Sequence, residues 1–150
     1  MFKKFGGALD SNIVQFENHV GMELPKDYRQ FLLDTNGGHF VEEIHTFWVE
    51  ELKQNIGIDV LFGFHDARSL CLNDWYEEYS EDLLENTIII GNSISSGLIL
   101  LIWQDDWKGI FLWDHCLELE QSTEEDCLYR IADQFDVFFS SLQVSNEEEL

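Results

Sequence analysis

Proline is nearly absent from this chain: Pro25 is the single one in 150 residues. A Pro-rich linker is therefore missing, and one domain over residues 1–150 is expected. Positive charge is almost as scarce, with 8 Lys+Arg against 30 Asp+Glu and a formal net charge of −22. DNA, RNA and anionic membrane surfaces all call for basic patches, so direct binding to any of them is not expected. A basic partner is. Cysteine is limited to Cys71, Cys116 and Cys127. The number is odd and no C-x-x-C occurs, which argues against a disulfide framework and for buried free thiols in a reducing cytoplasm. Long apolar runs are missing too. The longest, 98–103, falls far short of the ~20 residues a bilayer demands. The opening Met-Phe-Lys-Lys-Phe-Gly-Gly has no apolar h-region and turns polar by Asp10, so it does not read as a signal peptide. A cytoplasmic protein is expected.

Catalytic signatures are equally wanting. A nucleophile elbow needs G-x-S-x-G, and the run around Ser93 has Ser95 where the second glycine should stand. His19, His39, His45, His65 and His115 form no H-E-x-x-H. His115-Cys116 with Cys127 fits no zinc spacing. Asp105-Asp106 lacks the context of a calcium loop. Gly6-Gly7 and Gly37-Gly38 punctuate turns and cradle no phosphate. Neither an enzyme nor a metal or cofactor site is expected.

What is present is material for a core: 45% of residues are hydrophobic and 14% aromatic. A chain of this size buries roughly 70% of the surface it exposes when unfolded. Ile13, Phe16 and Val20 make one stripe of a helix over 11–20, which Asp10 or Ser11 can cap and Gly21 can end. A second helix starts at Pro25, buries Tyr28, Phe31 and Leu32, and stops at Asn36-Gly37-Gly38. The period then changes. Segments 44–49, 58–64, 87–91, 97–103 and 109–113 read as strands, and 98–103 is apolar throughout, so both of its faces should be covered. Residues 105–109 look like a hairpin connection. Leu128, Ile131, Phe135, Phe138 and Leu142 predict a closing helix over 124–142, followed by a fraying tail at 144–150. The expected class is α+β, with an antiparallel sheet of about four to six strands packed with an N-terminal helix pair and a C-terminal helix.

Residues 74–85 carry a pattern of their own. Asp74, Glu77, Glu78, Glu81, Asp82 and Glu85 fall at i, i+3, i+4, i+7, i+8 and i+11, one continuous face of a helix. Trp75, Tyr76, Tyr79 and Leu83 occupy the inward side. Four like-charge i,i+4 pairs result, together costing roughly 1–2 kcal/mol at low salt. Two readings stand side by side: a solvated face that keeps the protein soluble, or a surface for a cationic partner.

The string L-P-K-D-Y-R-Q-F-L-L-D-T-N-G-G over 24–38, with Phe16-Glu17 and Gly21 before it, resembles the N-terminal signature of the SUKH superfamily. That superfamily includes the yeast cell-wall-assembly regulator and many bacterial immunity proteins. Leu61-Phe62-Gly63-Phe64, the 88–101 stretch with Gly91 and Gly97, 110–114 and 135–142 resemble its later elements. The resemblance implies a cytoplasmic immunity protein that binds and neutralises a cognate secreted toxin, such as a nuclease domain, with no catalytic step of its own. An intracellular adaptor or regulator is the alternative. An acidic inhibitor fits a nuclease, because its carboxylates can lie where phosphates would. The expected partner-binding residues are Asp74, Glu77, Glu78, Glu81, Asp82 and Glu85, with Asp105, Asp106, Glu118 and Glu120 as further candidates. Residues 1–30 hold four acids and four bases and are neutral, so the entire net charge lies beyond them.

Overall fold

The structure, a computed structural model, describes residues 1–95, 97–104 and 107–145. Asp105, Asp106 and residues 146–150 of the expected tail lie outside the described residues. Helix α1 (Asp10–Val20) buries Ile13 and Phe16. It ends at Gly21, whose φ of 75° is the left-handed geometry glycine takes at least cost. Its start differs from expectation. Leu9, not Asp10 or Ser11, holds the cap position, and the Asn12 side chain accepts the Leu9 N–H at 3.1 Å. Helix α2 (Lys26–Thr35) follows Pro25 and buries Tyr28, Phe31 and Leu32.

Two carboxylates tie these helices down. Glu17 Oε2 accepts the Leu24 N–H at 2.8 Å. Asp27 Oδ2 accepts the Asp136 N–H at 3.0 Å, holding α2 against the short helix α4 (Phe135–Ser140). Past α2 the chain needs room more than hydrophobicity. Asn36 clamps Phe64 with both ends of its amide, Oδ1 accepting from the Phe64 N–H at 2.8 Å and Nδ2 donating to the Phe64 carbonyl at 3.0 Å. That clamp brings two backbones so close that a Cβ on Gly63 would meet the Asn36 carbonyl oxygen at 1.8 Å.

Among the described residues the sheet has nine strands. They are β1 (Phe2–Lys4), β2 (Gly38–Phe40), β3 (His45–Val49), β4 (Gln54–Leu61), β5 (Thr87–Ser93), β6 (Leu98–Trp103), β7 (Lys108–Trp113), β8 (Leu128–Ala132) and β9 (Gln143–Val144). The order is β1-β2-β4-β5-β6-β7-β8, with β3 paired to β4 and to β9. Every strand pair is antiparallel. Residues 98–102 of β6 are each at most 4% exposed, so this strand is covered on both faces as its unbroken apolar run requires. One hydrophobic core joins the sheet to α1, α2 and α4.

Several expectations are corrected. The sheet is larger than four to six strands because β1, β2 and β9 are only two or three residues long, too short to show a period. The helix predicted over 124–142 is a strand, a turn and the six residues of α4. The edge of β7 claims Leu128, Tyr129, Arg130 and Ala132 for pairing, and this non-local ladder outweighs a local helical spacing. Val144, expected in the frayed tail, pairs with His45. The cysteines are all free thiols, but only Cys71 is buried; Cys116 is exposed and Cys127 half-buried. No helix among the described residues is long and apolar enough to cross a membrane.

Candidate protein-docking surface

Helix α3 (Leu72–Tyr79) follows a 3₁₀ turn at Arg68–Leu70 and presents the first part of the acidic segment. Its inward side is a stack of rings. Trp75 lies on Phe62 with centroids 4.8 Å apart and planes at 11°, and Tyr79 lies on Trp75 at 5.9 Å and 9°. Tyr79 then meets Trp113 edge-on at 5.7 Å. The Trp75 indole N–H donates to the Ser69 carbonyl at 2.9 Å. Rings stacked this way resist rotation of the helix about its axis, so the outward carboxylates keep a fixed direction. Burial is the first cause that raises the Tyr79 phenol above its ordinary value, followed by the negative charge of Glu78, Cys116 and Asp82.

The helix is shorter than its acidic pattern. It stops at Tyr79, and Glu81, Asp82 and Glu85 lie in the turns that lead into β5. The Asp82 N–H donates to the Tyr79 carbonyl at 2.9 Å, closing the first of these turns. Continuing the helix would stack Glu81 on Glu77 and Asp82 on Glu78. The helix ends before these positions, so only the Asp74–Glu78 pair lies wholly inside α3. That helical pair costs roughly 0.2–0.5 kcal/mol.

The carboxylates remain at the surface. Glu77, Glu78, Glu81, Asp82 and Glu85 are exposed, and Asp74 is half-buried. Arg68 Nε lies 3.3 Å from Asp74 and partly compensates it, and His19 Nε2 lies 3.5 Å from Glu77. Among the described residues Glu78, Glu81, Asp82 and Glu85 form no ion pair. Arg68, Ser69, Asp74, Trp75, Glu77 and Glu78 line a groove of about 690 Å³ along the helix.

Two acids that sequence reasoning passed over join this surface. Glu124 and Glu125, in the loop between β7 and β8, share a cleft of about 340 Å³ with Asp82. Its apolar walls include Leu83, Trp113 and the 53%-exposed Leu84. They went unnoticed because the sequence assigned 124–142 to a helix. Only the return of β8 along β7 brings that loop back to the end of α3. The remaining candidates separate. Glu120 is exposed in the same loop, while Glu118 lines a smaller cleft with Ile56, Ser93 and Asp114. Asp105 and Asp106 lie outside the described residues.

Near Glu118 the chemistry is structural. Asp114, only 3% exposed, accepts the backbone N–H groups of Glu118 at 3.0 Å and Leu119 at 2.9 Å. Burial pushes its carboxyl up, but the Ser122 hydroxyl, these two N–H groups and His115 together hold it below its ordinary value. Ser93 Oγ accepts the Gly97 N–H at 3.0 Å and shares a hydrogen bond with Ser95, which shapes the turn between β5 and β6. Among the described residues no three His, Cys, Asp or Glu side chains are placed to hold a metal ion.

An α+β protein built on one antiparallel sheet, with a run of acids on and just after a ring-anchored helix, is thus the class that fold and surface define. The profile of the SMI1 / KNR4 family (SUKH-1) matches residues 7–141, and the chain belongs to that family. No curated protein sequence matches the chain.

Proposed function

We propose that this chain is an immunity protein that binds a cognate secreted toxin, a nuclease domain, and neutralises it through its acidic surface. Membership of a family known for immunity proteins supports the class of function. The observation that carries the particular reading is the run of exposed carboxylates on α3 and the turns after it, joined by Glu124 and Glu125 around one cleft. A nuclease must attract a polyanion, so its active cleft is basic. Carboxylates on α3 and the turns after it take the place of phosphates there. Their summed field raises the rate of encounter, and apolar contacts such as Leu84 in the cleft wall lengthen the residence time.

The test has two parts. If a toxin domain is encoded beside this gene, co-expression with it should rescue growth and yield a stable complex. Reversal of Glu77, Glu78 and Glu81 to Lys should slow association by about tenfold or more at low salt, with the fold intact. Unchanged protection by that variant would exclude the α3 face. An association rate equal at low and high ionic strength would remove the steering argument. Failure of the wild-type chain to protect would leave the adaptor reading.

A further inference from the structure

The cleft of about 340 Å³ that Asp82 shares with Glu124 and Glu125 has more structure than its acids. Its floor is set by β6. Leu100 and Ile102 stand two residues apart on that strand, so they point from the same face of the sheet, and both are buried. Trp113 and Leu128, a cross-strand pair of β7 and β8, form one wall. Tyr79 at 5.7 Å and His115 at 5.3 Å pack on the Trp113 ring and hold it. Leu83 and Leu84 line the cleft from the turn after α3. Paired strands and packed rings fix these positions, so the hollow is formed before anything enters it.

A lone exposed leucine is ordinary on a protein surface. Leu84 is different because it borders a cavity whose floor is buried hydrocarbon. The charges are ordered to match. Asp82, Glu124 and Glu125 are exposed while Leu100 and Ile102 are buried, so the acids stand at the mouth and the hydrocarbon at the bottom. No lysine or arginine lines the cleft, and none of the three acids forms an ion pair among the described residues. This order decides which side chain enters. A lysine or arginine going in tip first would carry its charge past the carboxylates and bury it against Leu100 and Ile102, which is costly. An aliphatic side chain meets hydrocarbon at the floor, and bases beside it in its own chain meet the three carboxylates outside. The hollow lies at the small end of the range in which proteins hold ligands, with room for one such side chain.

We infer that this cleft takes one aliphatic side chain of the partner protein, flanked in the partner's sequence by lysine or arginine residues that pair with Asp82, Glu124 and Glu125. A second copy of the chain is disfavoured because each copy carries a net charge of −22. The inference rests on the preceding reading for the existence of a basic partner, and it deepens that reading by separating two roles. The α3 carboxylates govern the rate of encounter, and the cleft governs the rate of release.

The probe is a blocked tripeptide, Arg-Leu-Arg, titrated into the full chain at physiological ionic strength, where distant charges are screened. Amide, methyl and indole NMR shifts should centre on Leu84, Trp113 and Leu128. Leu84→Ser and, independently, the pair Glu124→Lys with Glu125→Lys should each weaken binding by about fivefold or more. All three positions are exposed, so the rest of the spectrum should stay native. Reversal of Glu77, Glu78 and Glu81 to Lys should leave peptide binding within about twofold. The inference is overturned if the peptide shifts nothing at millimolar concentration, or if the shifts map to the groove beside Arg68. It is overturned equally if Arg-Ser-Arg or Glu-Leu-Glu binds as well, or if sedimentation shows the cleft closed by self-association. Against a toxin domain, Leu84→Ser should speed dissociation by about tenfold and leave association within about twofold. Slower association with unchanged release would sink the division of roles. Toxin protection without peptide binding would sink the cleft alone, and peptide binding without any toxin partner would sink the immunity reading alone.

Discussion

Carboxylates do different things in the two halves of the surface described above. In the first thirty residues the acids balance the bases, and most of them build the fold. Asp10 pairs with Arg29 at 2.7 Å, Glu17 holds the Leu24 N–H, and Asp27 holds α4. On α3 and the turn after it, the acids sit outside the core and bond little beyond Arg68 and His19. A helix selected only to fold would use i,i+4 lysines, which stabilise where these acids repel. The contrast separates carboxylates whose removal costs stability from those whose removal costs only binding, and substitutions can break or sharpen that separation.

The largest effect should come from the signature half. Gly63→Ala places a Cβ 1.8 Å from the Asn36 carbonyl oxygen and 2.6 Å from its carbonyl carbon, a backbone that must shift to admit it. Stability should fall by about 3 kcal/mol or more, read as a lower urea midpoint. A loss below about 1 kcal/mol would mean that the Asn36–Phe64 clamp opens easily. Glu17→Ala comes next. It leaves the Leu24 N–H without its carboxylate, and the loss should be about 1.5–3 kcal/mol in the same measurement. If Glu17→Ala cost no more than an α3 substitution, the division between the two regions would fail.

Asp114 extends the comparison to pH. Its carboxyl is held below the ordinary 3.8, so the native state favours the ionised form. That contribution is complete above the ordinary value and is lost as pH falls through the depressed native one. Asp114→Asn should therefore cost stability at pH 7, by roughly 1–2 kcal/mol through its weakened bonds to Glu118 and Leu119. The gap from wild type should narrow below about pH 4. A gap of equal size at pH 7 and pH 3 would show that the charge of Asp114 contributes nothing.

How much of this was legible in the sequence depends on the range of the interactions. The apolar run of β6 and the stripes of α1 and α2 are local facts, and they read correctly. The stretch from Leu128 was misread because Leu128, Ile131, Phe135 and Phe138 do fall at helical spacing. What overrules the spacing is the open edge of β7, some fifteen residues away. The same kind of error hid Glu124 and Glu125, which reach Asp82 only through that strand pairing. In α3 the order of residues is periodic through Glu85 while the chain turns at Ser80. The acidic surface was therefore foreseeable as composition. Its shape, a short helix continued by a turn, was not.

The smallest effect is the one that decides how the acidic face is understood. Glu78 is exposed and lies one turn beyond Asp74, the i,i+4 neighbour it repels. Glu78→Lys replaces that repulsion with an attraction of the favourable order, acid before base. Stability should stay unchanged or rise by about 0.5 kcal/mol, with the gain shrinking as salt is added. Urea unfolding at low and high ionic strength checks both size and sign. A loss above about 1 kcal/mol would mean that Glu78 supports the fold, and would return this face to the same category as Glu17 and Asp27. A gain in stability together with a loss in toxin association would put the two properties in opposition at one residue. That opposition is what separates a binding surface from a merely solvated one, because a face that served only solubility would have nothing to lose by the exchange.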